Sequence, residues 1–194
     1  MTRRTCDASS NDPHHRSSRP EQAGPVTLHD QLVTRAVRWC MSRKGGDCVL
    51  AVSELTTSQS ETPDVLGWRG PKHTVLVECK SSRADFLADK TKLFRRQPEL
   101  GMGNQRYYLC WPHVIEVSDL PDKWGLMWQE RYTRVLRFAV YQPVERDIET
   151  SVLLSAIRRK PGECGKSVSA RWYQWGTKNR ARVVAHEDPV APPI

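Results

Sequence analysis

The sequence predicts a mixed α/β domain, a central sheet flanked by helices, with an α+β sheet carrying all its helices on one face as the alternative. Three observations point there. The 194 residues are enough to bury a substantial core in one domain. Short apolar, β-branched runs are interleaved with stretches of helical period. Their order is helix, three strands, helix, strand, followed by two further strands and a closing helix.

The first helix, about 27 to 43, follows from Thr27 as an N-cap with Asp30 three residues on. Leu28, Leu32, Ala36, Val37 and Cys40 then recur at helical spacing until Gly45-Gly46. "CVLAVSEL" (48–55) is a short apolar strand, and a polar run to Thr62 loosens the chain after it. "DVLGW" and His73 to Lys80 are two more strands, joined as a hairpin through the turn signal Gly70-Pro71. Ser82 caps a second helix that runs to Pro98, with Phe86/Leu87 and Leu93/Phe94 on one face. "RYYLCW" (106–111) is a fourth strand, "WGLMWQ" and "RVLRFAVY" form another hairpin, and a helix from Asp147 to Lys160 closes the domain. Residues 1–25 have the composition of a disordered tail, 26–160 form the domain, and 161–194 are a second tail.

Charge is distributed unevenly. Of a formal net charge of +8, residues 151–194 carry eight basic against three acidic side chains, whereas 26–150 are nearly balanced, with eighteen against sixteen. A local cationic patch fits a polyanion, and nucleic acid is the first candidate partner. The six cysteines form no C-x-x-C pair and three lie in apolar segments, which fits reduced thiols and a cytoplasmic location. No apolar run reaches the ~20 residues of a membrane span, and the N-terminus lacks the apolar region of a secretory signal. Oligomeric state is not legible.

The chemistry sits in "TPDVLGWRGPKHTVLVECKSSRADFLADK" (62–90). Side chains alternate along a strand, so Glu78 and Lys80 share one face while Cys79 and Val77 share the other. Antiparallel pairing of the hairpin sets Asp64 beside the end that carries Glu78. Two converging carboxylates repel unless a cation lies between them, and oxygen ligands favour a hard ion such as magnesium, which manganese could replace. Pro63 suits the first position of a strand because it has no N–H to donate to the sheet.

The pattern Pro63-Asp64 followed by Glu78-Cys79-Lys80, on an αβββαβ order covering about residues 27–112, resembles the PD-(D/E)XK nuclease superfamily. "VECKSSRADFLADK", "RYYLC" and "KWGLMW" look most like its small phage and bacterial MmcB-like DNA-repair proteins. The resemblance implies a restriction-endonuclease-like fold and magnesium-dependent hydrolysis of DNA phosphodiesters in repair or phage DNA metabolism. It also implies that Asp64, Glu78 and the main-chain carbonyl of Cys79 are metal ligands and that Lys80 positions the attacking water. Many members complete the shell with an acid from the first helix; here the candidates are Asp30, near the helix start, and Glu54 at the end of strand one. In others a Gln or Lys on the following helix assists, a role open to Lys90 or Lys92. A catalytically silent DNA-binding protein of the same fold, and an RNA-processing nuclease, are the alternatives.

Arg83, Lys90, Lys92, Arg95 and Arg96 follow the site on or near one helix and are either candidate phosphate contacts or a solvated face partly neutralised by Asp85 and Asp89. In the tail, Arg171, Trp172, Trp175, Lys178 and Arg180 combine aromatic faces with cations, the pairing by which single strands are gripped without sequence readout. Trp39, Trp111, Trp124 and Trp128 fall within apolar patterns and are expected as core or sheet-face residues rather than ligands.

Overall fold

A computed structural model of the protein describes residues 25–55 and 62–158, together with the backbone of Val168–Ala170. The expected tail contacts Arg171, Trp172, Trp175, Lys178 and Arg180 lie outside the described residues.

Helix α1 spans Leu28–Met41 and begins with the expected capping box, in which the Asp30 N–H donates to Thr27 Oγ1 (3.1 Å) and the Thr27 N–H to Asp30 Oδ2 (2.9 Å). Strands β1 (Leu50–Ser53), β2 (Val65–Gly70) and β3 (His73–Lys80) follow. Next come α2 (Arg83–Asp89), α3 (Leu93–Arg96), β4 (Gln105–Cys110), β5 (Gly125–Gln129), β6 (Thr133–Arg137), α4 (Arg146–Arg158) and β7 (Val168–Ala170). The sheet order is β6-β5-β4-β3-β2-β1-β7. The pairs β3–β4 and β4–β5 are parallel and the others antiparallel, so the sheet is mixed, as expected.

The two faces bury separate apolar layers. On one, Leu32, Val33, Ala36 and Cys40 of α1 pack against Val65, Val75, Val77 and Leu109. On the other, Phe86 of α2 and Val152 and Ala156 of α4 pack against Leu66, Leu76, Tyr108 and Leu126, with Trp124 and Trp128 in the same layer. Helices therefore cover both faces, and the alternative with all helices on one side does not hold. Each layer follows from period-2 alternation in the strands meeting a helical stripe.

Two differences from the expected elements matter. The sheet takes in Val168–Ala170, beyond the expected domain boundary at 160, because β1 would otherwise leave an unpaired edge. The helix expected from Ser82 to Pro98 breaks after Asp89, and the chain turns through Lys90-Thr91-Lys92 into α3. Residues six apart on a continuous helix lie ~240° apart around its axis. The break brings Arg95 back onto Asp89, with Nε 2.6 Å from Oδ2.

Past α3 the chain enters β4 through Gly103, which has φ of +82° and would place a Cβ 2.4 Å from Leu76 Cβ. The loop is fixed from the far side by buried Glu149 of α4, which accepts from the Gly103 N–H (2.9 Å), Thr74 Oγ1 (2.7 Å) and Arg146 Nη1 (2.7 Å).

Candidate active site

The expected trio comes together at the carboxyl end of β3. Lys80 Nζ lies 3.6 Å from Glu78 Oε2, and both side chains are buried, while Cys79 and Val77 face the α1 layer. Asp64, just before β2, accepts a hydrogen bond from the Cys79 N–H at 2.7 Å. Beyond the Val65↔Val77 pair, the hairpin register sets Pro63 opposite Cys79. Pro63 has no N–H for the Cys79 carbonyl, which points to the same strand edge as the N–H that Asp64 receives. Two carboxylates and one main-chain carbonyl thus gather where the hairpin ends.

The charge in this corner is uneven. Burial and the neighbouring Glu78 push the Asp64 carboxyl up to about 7, against the opposing pull of the Cys79 N–H, His29 and Lys80. Burial works against the charge on Lys80, but Glu78, Asp89, Asp64 and Asp85 outweigh it and raise its pKa, so Lys80 is an ammonium. Its closest carboxylate is Asp89 Oδ1, at 3.1 Å, rather than Glu78.

Because Asp64 titrates higher in the folded chain than at its ordinary value of 3.8, its contribution to stability is full below that value and is lost as pH rises through about 7. Without metal, the wild-type thermal midpoint is expected to fall between roughly pH 4 and 8. The groups facing Asp64 are His29, Glu54, Glu78 and Lys80. Asp64→Asn removes the titration, so the variant should show a flatter profile by scanning calorimetry; an unchanged slope would contradict the assignment.

The fourth corner is occupied by a residue the sequence reading missed. Asp30 is held in the capping box, and the α1 side chain that reaches the site is its neighbour, His29. Its Nε2 lies 3.4 Å from Glu54 Oε1 and 3.7 Å from Asp64 Oδ1. Glu54, just after β1, takes a left-handed conformation (φ +48°), with its N–H donating to the Asp64 carbonyl at 2.9 Å. A signal for His29 was available: positions 29, 33, 36 and 40 lie on one helical stripe, and the last three are the buried face of α1.

Arg95 requires a correction. Expected at a phosphate-facing surface, its side chain is 3% exposed and points inward. It reaches Glu78 Oε2 (3.4 Å) and Asp89, and its guanidinium lies 4.5 Å from the centre of the Trp124 ring. Lys92 is half exposed with Nζ 2.8 Å from Asp89 Oδ1, and Lys90 is exposed beside the Phe86 ring. Arg83 is exposed but paired with Asp119, with Nη2–Oδ1 at 2.6 Å.

Magnesium was expected from two carboxylates and a carbonyl. Among the described residues no group of three His, Cys, Asp or Glu side chains is arranged to hold a metal. The expected donors, Asp64, Glu78 and the Cys79 carbonyl, are all oxygen, the ligand type a hard ion such as magnesium takes together with water. The raised Asp64 carboxyl reflects burial first and the nearby Glu78 carboxylate second.

Among the described residues no helix is long and apolar enough to cross a membrane. No family model matches the chain, and no curated protein matches it. Among solved structures it is similar to a protein of unknown function from Silicibacter pomeroyi, at 23% identity and a TM-score of 0.53, over 72% of this chain and 97% of that one. That likeness is one of fold, a mixed α/β sheet flanked by helices.

Proposed function

We propose that the protein is a magnesium-dependent nuclease that hydrolyses DNA phosphodiester bonds in repair or phage DNA metabolism, in the reducing cytoplasm. The observation that carries this reading is the meeting of Asp64, Glu78 and Lys80 at the end of one hairpin, with Asp64 oriented by the Cys79 N–H. Asp64, Glu78 and the Cys79 carbonyl would hold the ion. When bound, it would polarise a phosphoryl oxygen and lower the pKa of a coordinated water. Lys80 presents a fixed positive charge that orients the nucleophile and offsets charge building on phosphorus. Lys90 and Lys92 provide exposed cations for the flanking phosphates. The tail residues Arg171, Trp172, Trp175, Lys178 and Arg180 are assigned to gripping a strand by stacking and charge.

Binding of magnesium to the folded state alone should stabilise it by about 2.7 kcal/mol at a hundredfold excess over Kd, a rise of roughly 5–10 °C in thermal midpoint. Asp64→Asn should abolish the rise. A wild-type midpoint indifferent to saturating magnesium and manganese would overturn the metal centre.

Truncation after Ala170 leaves β7 in place and removes four basic residues, Arg171, Lys178, Arg180 and Arg182. The slope of log K against log salt for DNA should become shallower by roughly 3. Equal slopes for the full and truncated chains would show that the tail does not touch phosphate.

A second reading, a catalytically silent DNA-binding protein, draws on one observation: Lys80 is 4% exposed and tied to Asp89. It predicts DNA binding without cleavage.

A further inference from the structure

The broken helix after the site builds a second buried carboxylate that belongs neither to the metal donors nor to the surface. Asp89, the last residue of α2, has a fully buried side chain. Its Oδ1 faces Lys80 Nζ at 3.1 Å and Lys92 Nζ at 2.8 Å. Its Oδ2 accepts from Arg95 Nε at 2.6 Å and from the Tyr108 hydroxyl at 2.7 Å. Burial alone would raise its pKa, but Arg95, Lys92 and Lys80 hold it well below the ordinary carboxylate range, so Asp89 is a permanent anion.

We infer that Asp89 is the positioning residue of the site: it fixes the Lys80 ammonium at a defined point beside Glu78 and, through Arg95, fixes Glu78 itself. The inference rests on the nuclease reading for its consequence and on geometry for its substance. Lys80 carries a flexible stem, and beside Glu78 alone its ammonium would settle onto that carboxylate and occupy the oxygens a metal needs. Asp89 approaches more closely than Glu78, 3.1 against 3.6 Å, and draws the ammonium toward α2. Arg95 binds both acids, with Nη2 3.4 Å from Glu78 Oε2, and is itself seated between Asp89 and the Trp124 ring. Both cations lie against the same oxygen of Glu78, Oε2. Asp89 thereby acts at one remove. It touches neither substrate nor metal, and its effect on the chemistry passes through Lys80 and Glu78.

The experiment pairs kinetics with a direct view of the lysine. Asp89→Asn should slow magnesium-dependent cleavage at least ~10-fold, the lower range for losing one ordered charge, with DNA affinity unchanged. Asp89→Asn added to Lys80→Met should slow cleavage by a clearly smaller factor than in wild type, since only the route through Arg95 and Glu78 is left to lose; an equal factor in both backgrounds overturns the inference.

Independently of activity, proton–nitrogen correlation spectra of the lysine ammonium groups should show a slowly exchanging signal that Lys80→Met removes. In Asp89→Asn its proton exchange should quicken at least tenfold, and an unaltered rate overturns the inference. If Asp89→Asn does not fold, the wild type still decides, because a Lys80 ammonium exchanging as fast as that of exposed Lys90 overturns the positioning. A wild type that cuts nothing but retains the slow Lys80 signal would sink the nuclease reading and leave the positioning by Asp89 intact.

Discussion

Lys80→Met should slow magnesium-dependent cleavage by at least ~100-fold while folding and DNA binding persist. Methionine keeps most of the apolar stem and removes the charge. The two acids that Lys80 touches do not lose all their partners, since Glu78 retains Arg95 and Asp89 retains Arg95 and Lys92. The fold therefore survives the loss, and the missing charge is felt where it acts on phosphorus and water. A lysine that only neutralised Glu78 would show the reverse pattern, with lower stability and unchanged turnover. Circular dichroism melts and DNA titrations on the same protein preparations separate the two.

Arg95→Met is expected to act on stability instead. The guanidinium is buried between Glu78 and Asp89, donates through Nε to the Tyr108 hydroxyl at 3.2 Å and lies over Trp124. Removing it leaves buried Glu78 with Lys80 alone and buried Asp89 with Lys80, Lys92 and the Tyr108 hydroxyl, and breaking a buried pair from one side costs roughly 3–5 kcal/mol. For a domain of this size that is a fall of order 10 °C in thermal midpoint. Because Arg95 does not face solvent, the salt dependence of DNA binding should be unchanged. Lys90→Met, at an exposed position, should make the slope shallower by about 1. An Arg95→Met protein as stable as wild type but with a shallower slope would restore Arg95 to the phosphate surface.

The parts of the fold with a local cause were legible in the sequence. Thr27 with Asp30 marks the start of α1, Gly70-Pro71 marks the hairpin, and period-2 alternation puts Glu78 and Lys80 on one face. The placement of Asp64 beside the Glu78 end of β3 follows from hairpin pairing alone, which is why that juxtaposition could be expected from the sequence.

What stayed hidden depends on non-local packing. On one continuous helix Asp89 and Arg95 would lie about 120° apart, so their spacing gave no reason to pair them, and Arg95 read as part of the cationic face that follows the site. Only the break at 90–92, held by buried partners such as Lys80 and Tyr108, brings them together. His29 was passed over because the search was for an acid in α1, although its place on the buried stripe pointed to the sheet. The partnership of Glu149 with Thr74, 75 residues apart, has no local signal. Nor does the pairing of β7 with β1, since nothing in the three residues of β7 names the edge they join.

The most direct measurement of the central claim is cleavage of labelled linear, supercoiled, single-stranded and branched DNA, with RNA alongside, by wild type and Asp64→Asn in magnesium and in chelator. The nuclease reading predicts that wild type cuts at least one DNA substrate in magnesium only, and that Asp64→Asn leaves the same substrate whole while still binding it. A wild-type protein that binds DNA and leaves every substrate intact in magnesium and manganese, or a wild type and Asp64→Asn that cut alike, would contradict it.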